Sequence, residues 1–224
     1  MPLPVLLLGS LAVAMAGVFA VGLSAAGQDG RGRWLAVSLG VAAVYLGVSA
    51  GLAASGALAD VDARPPPAGA MLLAMSAGTV ALALSRVGDR LLRLPLAALV
   101  GVQSFRIPVE VLLAAAHDAG AVPVEMTWHG LNFDVASGGT ALVLAVWLWR
   151  GRPPRWVVAA WNALGLALLA VVVTVAASSA FGLLPTEPQL TLPVTWPGVW
   201  LPAWLVQLAL LGHILVFRKL RQSR

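Results

Sequence analysis

Apolar residues run through this chain in long blocks, without the alternating or three-to-four-residue rhythm of a strand or helix that keeps one face in water. Seven blocks, at 3–23, 34–58, 68–85, 94–117, 131–149, 156–180 and 199–217, approach the roughly 20 residues with which a helix crosses a hydrocarbon core of about 30 Å. Helices are the predicted form because each satisfies its own backbone N–H and C=O groups, which lipid cannot do. The block at 68–85 is the shortest.

The connectors carry turn chemistry. Gln28-Asp29-Gly30-Arg31-Gly32-Arg33, Arg64-Pro65-Pro66-Pro67 and Arg150-Gly151-Arg152-Pro153-Pro154-Arg155 are all poor helix formers. No internal repeat and no water-soluble domain is evident. The predicted fold is therefore all-α, a single seven-helix transmembrane bundle over residues 1–224.

Charge gives the bundle a direction. Connectors one, three and five and the tail hold Arg31, Arg33, Arg86, Arg90, Arg93, Arg150, Arg152, Arg155, Arg218, Lys219, Arg221 and Arg224. The other three connectors hold Arg64 alone among basic residues, together with Asp60, Asp62, Asp118, Glu125 and Glu187. Basic residues of short loops stay cytoplasmic, which predicts an N-terminus outside and a C-terminus in the cytoplasm. Trp34, Trp147, Trp149 and Trp156 then flank inner ends, and Trp128, Trp196 and Trp200 outer ones. The first block has no basic flank before it, so it is expected to stay as an uncleaved span and not to act as a signal peptide.

Only 10% of residues are charged, against about 25% in soluble domains. The absence of cysteine excludes disulfides, thiolate metal sites and cysteine nucleophiles. The net charge of +5 lies in short clusters between apolar blocks, so membrane lipids are the expected partner and nucleic acid is not. The Ala, Val, Leu, Gly and Arg bias, with Lys219 the single lysine, points to a GC-rich bacterial genome and a multi-pass inner-membrane protein.

The fourth block carries the candidate chemistry. Gln103, Arg106, Glu110 and His117 fall within one narrow stripe of a continuous helix. A mid-membrane arginine costs about 2.5 to 3.5 kcal/mol on insertion scales, so Arg106 must face the bundle interior and find a partner. Glu110, four residues on, and Asp134, about one turn into the fifth block, are the two partners in reach. Asn132 adds an amide, and Gln207 in the last block is expected near the same level. Arg106, Glu110 and Asp134 form either a neutralised clamp between spans four and five or, with Gln103, Asn132 and Gln207, a ligand or proton site. Asn162 and His213 are expected to hydrogen-bond between helices.

The outer connector after the fourth block gathers His117, Asp118, Glu125 and His129, residue types that suit a divalent metal, although their spacing matches no metal motif. The Pro-rich connector at 181–198 reads as an ordered cap over the outer mouth or as an inert strap. Lys219 sits at the edge of its span, which argues against a retinal Schiff base. Gly47-Val48-Ser49-Ala50-Gly51 matches a serine-hydrolase elbow only in letters, being mid-span.

The leading expectation is an outward-opening polar cavity among spans four, five and seven that binds or conducts a small polar solute or protons. A membrane-embedded enzyme acting on a lipid or lipid-linked substrate at the outer interface is the second. A non-catalytic subunit that pairs with other membrane subunits is the third.

Overall fold

The computed structural model describes residues 1–27, 29–61 and 63–222; Gln28, Asp62 and Arg224, named above, lie outside the described residues. No strand occurs among the described residues, which form helices joined by short connectors. Among the described residues six helical stretches are long and apolar enough to cross a membrane: Leu3–Ala25, Arg31–Ala54, Pro67–Leu84, Leu96–Asp118, Arg155–Ala180 and Leu201–Gln222. The block expected at 131–149 forms a shorter helix, Asp134–Arg150, of 17 residues.

We number the helices α1 (Leu3–Ala25), α2 (Arg31–Ala54), α3 (Pro67–Leu84), α4 (Arg86–Leu91), α5 (Leu96–Gly101), α6 (Arg106–Asp118), α7 (Asp134–Arg150), α8 (Arg155–Ala180) and α9 (Val206–Gln222). Proline starts several of them. It occupies the first turn of α1 and α3, where its missing N–H has no intrahelical partner to lose. Ser85 ends α3 and caps α4, its hydroxyl accepting from the Val87 amide at 3.1 Å.

The basic residues of one end do more than carry charge. Arg90 is buried and donates to the carbonyls of Leu23 (2.8 Å) in the last turn of α1 and Asp29 (3.2 Å) in the connector that follows, with its guanidinium 4.7 Å from the centre of the Trp34 ring. Arg218 donates to the Ala83 carbonyl and pairs with Asp89 at 2.8 Å. Lys219 takes the carbonyls of Leu92 and Leu94, and Arg155 that of Leu220. Each satisfies a carbonyl that a helix end or turn leaves open. The helix ends are thereby tied together from α1 round to α9.

Two apolar clusters fill the bundle. One joins Leu8 and Met15 of α1, Leu113 of α6 and Leu205 and Ala209 near α9 with the connector residues Val122, Met126, Leu190 and Leu192. The other lies toward the basic end and joins Leu99, Leu144, Val158, Leu215 and Leu220. Helix α9 feeds both. Between them runs a thin buried layer of polar side chains, among them Arg106, Glu110, Asp134, Asn162 and His213. The Pro-rich connector folds over the bundle as a cap: Leu190 and Leu192 on it are buried.

Candidate functional site

The fourth block is not one continuous helix. Pro108 has no N–H for the carbonyl of Ser104, and its ring crowds that carbonyl, so the backbone tightens into a 3-10 turn at Val102–Phe105 between α5 and α6. A 3-10 turn advances about 120° per residue, against 100° in an α-helix, and this splits the expected stripe. Gln103 faces α9, donating to the Ala209 carbonyl at 3.2 Å and pressing on Gly212. Arg106 faces α7 and α8.

Arg106 is 2% exposed. Its Nη1 donates to Asp134 Oδ1 at 2.6 Å, to Ser137 Oγ at 2.8 Å and to the Gly165 carbonyl at 3.4 Å. Asp134 opens α7 and Ser137 follows it by three residues, so both project from one face of that helix. Of the two partners within reach in sequence, the one that pairs is Asp134. Glu110, also 2% exposed, instead accepts from Asn132 Nδ2 at 2.9 Å.

Asn132 is the keystone of the connector side. Its Nδ2 also donates to the Met126 carbonyl at 3.1 Å, while its Oδ1 accepts from the Asp134 amide at 3.1 Å in an Asx turn that starts α7. One side chain thus fixes the connector, the Glu110 carboxyl and the first turn that presents Asp134.

The polar layer continues past Arg106. Asn162 of α8 and His213 of α9 bond reciprocally: Asn162 Nδ2 donates to the His213 carbonyl at 2.9 Å, and its Oδ1 lies 2.8 Å from His213 Nδ1. The amide therefore accepts from Nδ1, which leaves Nε2 as the ring's acceptor nitrogen. Nε2 points over Gly165: a Cβ there would stand 3.1 Å from it, 2.6 Å from His213 Cε1 and 2.9 Å from Ser137 Oγ. Ser137 and Gly165 were not singled out from the sequence, because single serines and glycines are common in membrane helices. Asn162 and His213 were legible as interhelical groups, but not as neighbours of the Arg106 cluster.

Gln207 stands apart from this cluster. It accepts from Thr79 Oγ1 at 2.9 Å and donates to Ser76 Oγ and to the Pro202 carbonyl, joining α9 to α3. The four residues considered for a metal also fail to converge. His117 Nδ1 lies 3.0 Å from the Val122 carbonyl, and His129 Nε2 accepts from the indole of Trp128 at 2.9 Å. Asp118 is exposed and Glu125 half-buried. Among the described residues no group of three or more His, Asp or Glu side chains is placed to hold a metal ion.

A cavity of about 110 Å³ opens beside Arg106, Glu110 and Asp134. The expected cavity among spans four, five and seven was polar; this one is walled by apolar side chains of α3, α6, α8 and α9, with Leu190, Leu192 and Val194 of the cap above it. The three ionisable residues form its only charged wall. Helices α3 and α8 each pack on α9, and the Phe181 ring lies over Gly69, where a Cβ would meet it at 3.3 Å. A second cavity, of about 200 Å³ between α1, α5 and α9, has no ionisable residue in its lining.

Fold and site together define an all-helical protein with six apolar helices of membrane-crossing length and a buried polar layer beside an apolar cavity. No protein-family model, curated protein or solved structure matches the chain.

Proposed function

We propose that this chain is a membrane-embedded binding protein for an amphiphile drawn from the bilayer. The polar end of the ligand meets Glu110 and Arg106, the first part of its apolar body fills the cavity among α3, α6, α8 and α9, and the rest of the chain stays in the bilayer. One observation carries the reading: the only ionisable side chains lining an otherwise apolar cavity are the buried Arg106, Glu110 and Asp134. A small polar solute would gain little from such walls, whereas each buried CH₂ of an alkyl chain contributes about 0.8 kcal/mol. The cavity is not enclosed, which leaves a way in from lipid.

The same reading takes α7 as a seventh span, with the N-terminus outside and the basic connectors in the cytoplasm of a bacterial inner membrane. The alternation of basic and acidic connectors supports it. With α7 spanning, Asp134 and Asn132 fall toward the outer face, where the cap covers the cavity.

The test is to purify the protein, extract it with solvent and identify retained amphiphiles by mass spectrometry. Ala176→Phe, which projects a ring into the cavity from α8, should reduce retention at least about tenfold while the protein still elutes as a folded species. Equal retention by this variant and the parent would refute the site.

A further inference from the structure

We infer that the polar end received at this site is a carboxylate, so that the ligand is a single-chain amphiphile of the fatty-acid class; this rests on the amphiphile reading above. Arg106 spends one nitrogen, Nη1, on Asp134, Ser137 and Gly165. Its Nε and Nη2 are buried and have no hydrogen-bond partner. Those two nitrogens form the side edge of the guanidinium, whose parallel N–H bonds match the two oxygens of a carboxylate. One turn further along α6, Glu110 Oε2 is likewise buried and unpartnered, its sister oxygen being held by Asn132.

An acid entering in its neutral form satisfies all three atoms at once. Its oxygens take the Nε and Nη2 hydrogens, and its proton is shared with Glu110 Oε2. The net charge of the site is unchanged, because the acid enters neutral: Arg106 and Asp134 compensate each other, and the two remaining carboxyl groups share one proton and one negative charge beside the guanidinium edge. An alcohol of the same chain length brings a single oxygen and leaves one guanidinium N–H unmet. An ammonium offers no oxygen to accept from the guanidinium edge and leaves both Nε and Nη2 unmet. A phosphate fits the edge but adds an oxygen and a charge for which the apolar walls offer no donor.

The experiment uses the full chain in lipid nanodiscs, labelled with a diazirine derivative of palmitic acid. Palmitic acid, hexadecanol, hexadecyl phosphate and hexadecylamine compete for the label. Palmitic acid is expected to compete about tenfold or more better than hexadecanol, the margin of one charge-assisted hydrogen bond. Arg106→Lys keeps a cation opposite Asp134 but loses the planar edge, and should abolish that preference. Equal competition by hexadecanol overturns the carboxylate assignment and leaves the amphiphile reading standing. Stronger competition by hexadecyl phosphate replaces the carboxylate by a phosphate head. Labelling that no amphiphile displaces sinks the amphiphile reading itself. The competition series uses the unaltered protein, so a misfolded Arg106→Lys would not obscure it.

Discussion

Arg106 on α6 and Asp134 at the start of α7 close an ion pair of 2.6 Å with both side chains almost sealed from solvent. Removing one partner strands the other charge where neither water nor lipid can solvate it. Asp134→Asn or Arg106→Ala should therefore each destabilise the protein by about 3 to 5 kcal/mol. Replacing both by apolar residues, Arg106→Met with Asp134→Leu, should cost less than either single change. Thermal unfolding of the detergent-solubilised protein measures all three; a double variant as unstable as the sum of the singles would show that the two do not act as a pair.

The polar layer closes over Gly165 because nothing larger than hydrogen fits there. A Cβ would stand 2.6 Å from the His213 ring and 2.9 Å from Ser137 Oγ, both inside ordinary contact distance. Gly165→Ala is expected to cost about 1 to 3 kcal/mol by overpacking. Combining it with Ser137→Gly and His213→Ala should make the alanine nearly neutral, since the atoms it strikes are then gone. Unfolding temperatures of the single, double and triple variants decide this, and a harmless Gly165→Ala in the parent would contradict the close approach.

What the sequence made legible follows from which constraints are absolute. A membrane-crossing helix must be long and apolar, so the blocks ending at Leu23 or beginning at Trp156 lie within two residues of helix ends Ala25 and Arg155. Burial of Arg106 against a carboxylate follows from the cost of a lone charge in lipid, but spacing does not decide between Glu110 and Asp134. The rest depends on local geometry that spacing alone hides. Pro108 breaks the fourth block and turns Gln103 away from Arg106, a signal present in the sequence but passed over in a continuous-helix reading. Pro202, in the π-helical turn Leu201–Leu205, likewise alters the start of the last span, and its carbonyl accepts from Gln207. The apolar walls of the cavity had no signature, because a residue facing a cavity and one facing lipid look alike in composition.

Asn132 makes three hydrogen bonds that serve different ends, which allows its roles to be separated. Asn132→Ala loses all of them and is expected to cost about 1 to 3 kcal/mol. Asn132→Asp keeps the oxygen that starts α7 but sets a carboxyl where an N–H met Glu110 and the Met126 carbonyl. It should be at least as destabilising as Asn132→Ala. If unfolding measurements instead show Asn132→Asp to be tolerated, Asn132 serves only to open α7, and Glu110 is not anchored through it.

The number of membrane crossings turns on α7, and the chain is well suited to a direct answer because it contains no cysteine. At about 1.5 Å per residue the 17 residues of α7 rise about 26 Å, a few ångströms short of the hydrocarbon core. Its flanks are exposed: His129 on the connector before it and Arg152 just after it. Single variants His129→Cys and Arg152→Cys, treated in intact cells with a membrane-impermeant maleimide, should differ. His129→Cys is expected to react at once, and Arg152→Cys only after the cells are permeabilised, because basic connectors remain in the cytoplasm. Glu187→Cys, on the exposed cap, serves as an outer reference. Reaction of both flanks from the same side would mean that α7 does not cross. The Arg106 and Asp134 pair would then join a spanning helix to one that dips into the membrane and returns. Reaction from opposite sides makes α7 a span shortened at its outer end, where the Asx turn of Asn132 and the buried Asp134 lie in place of a further apolar turn.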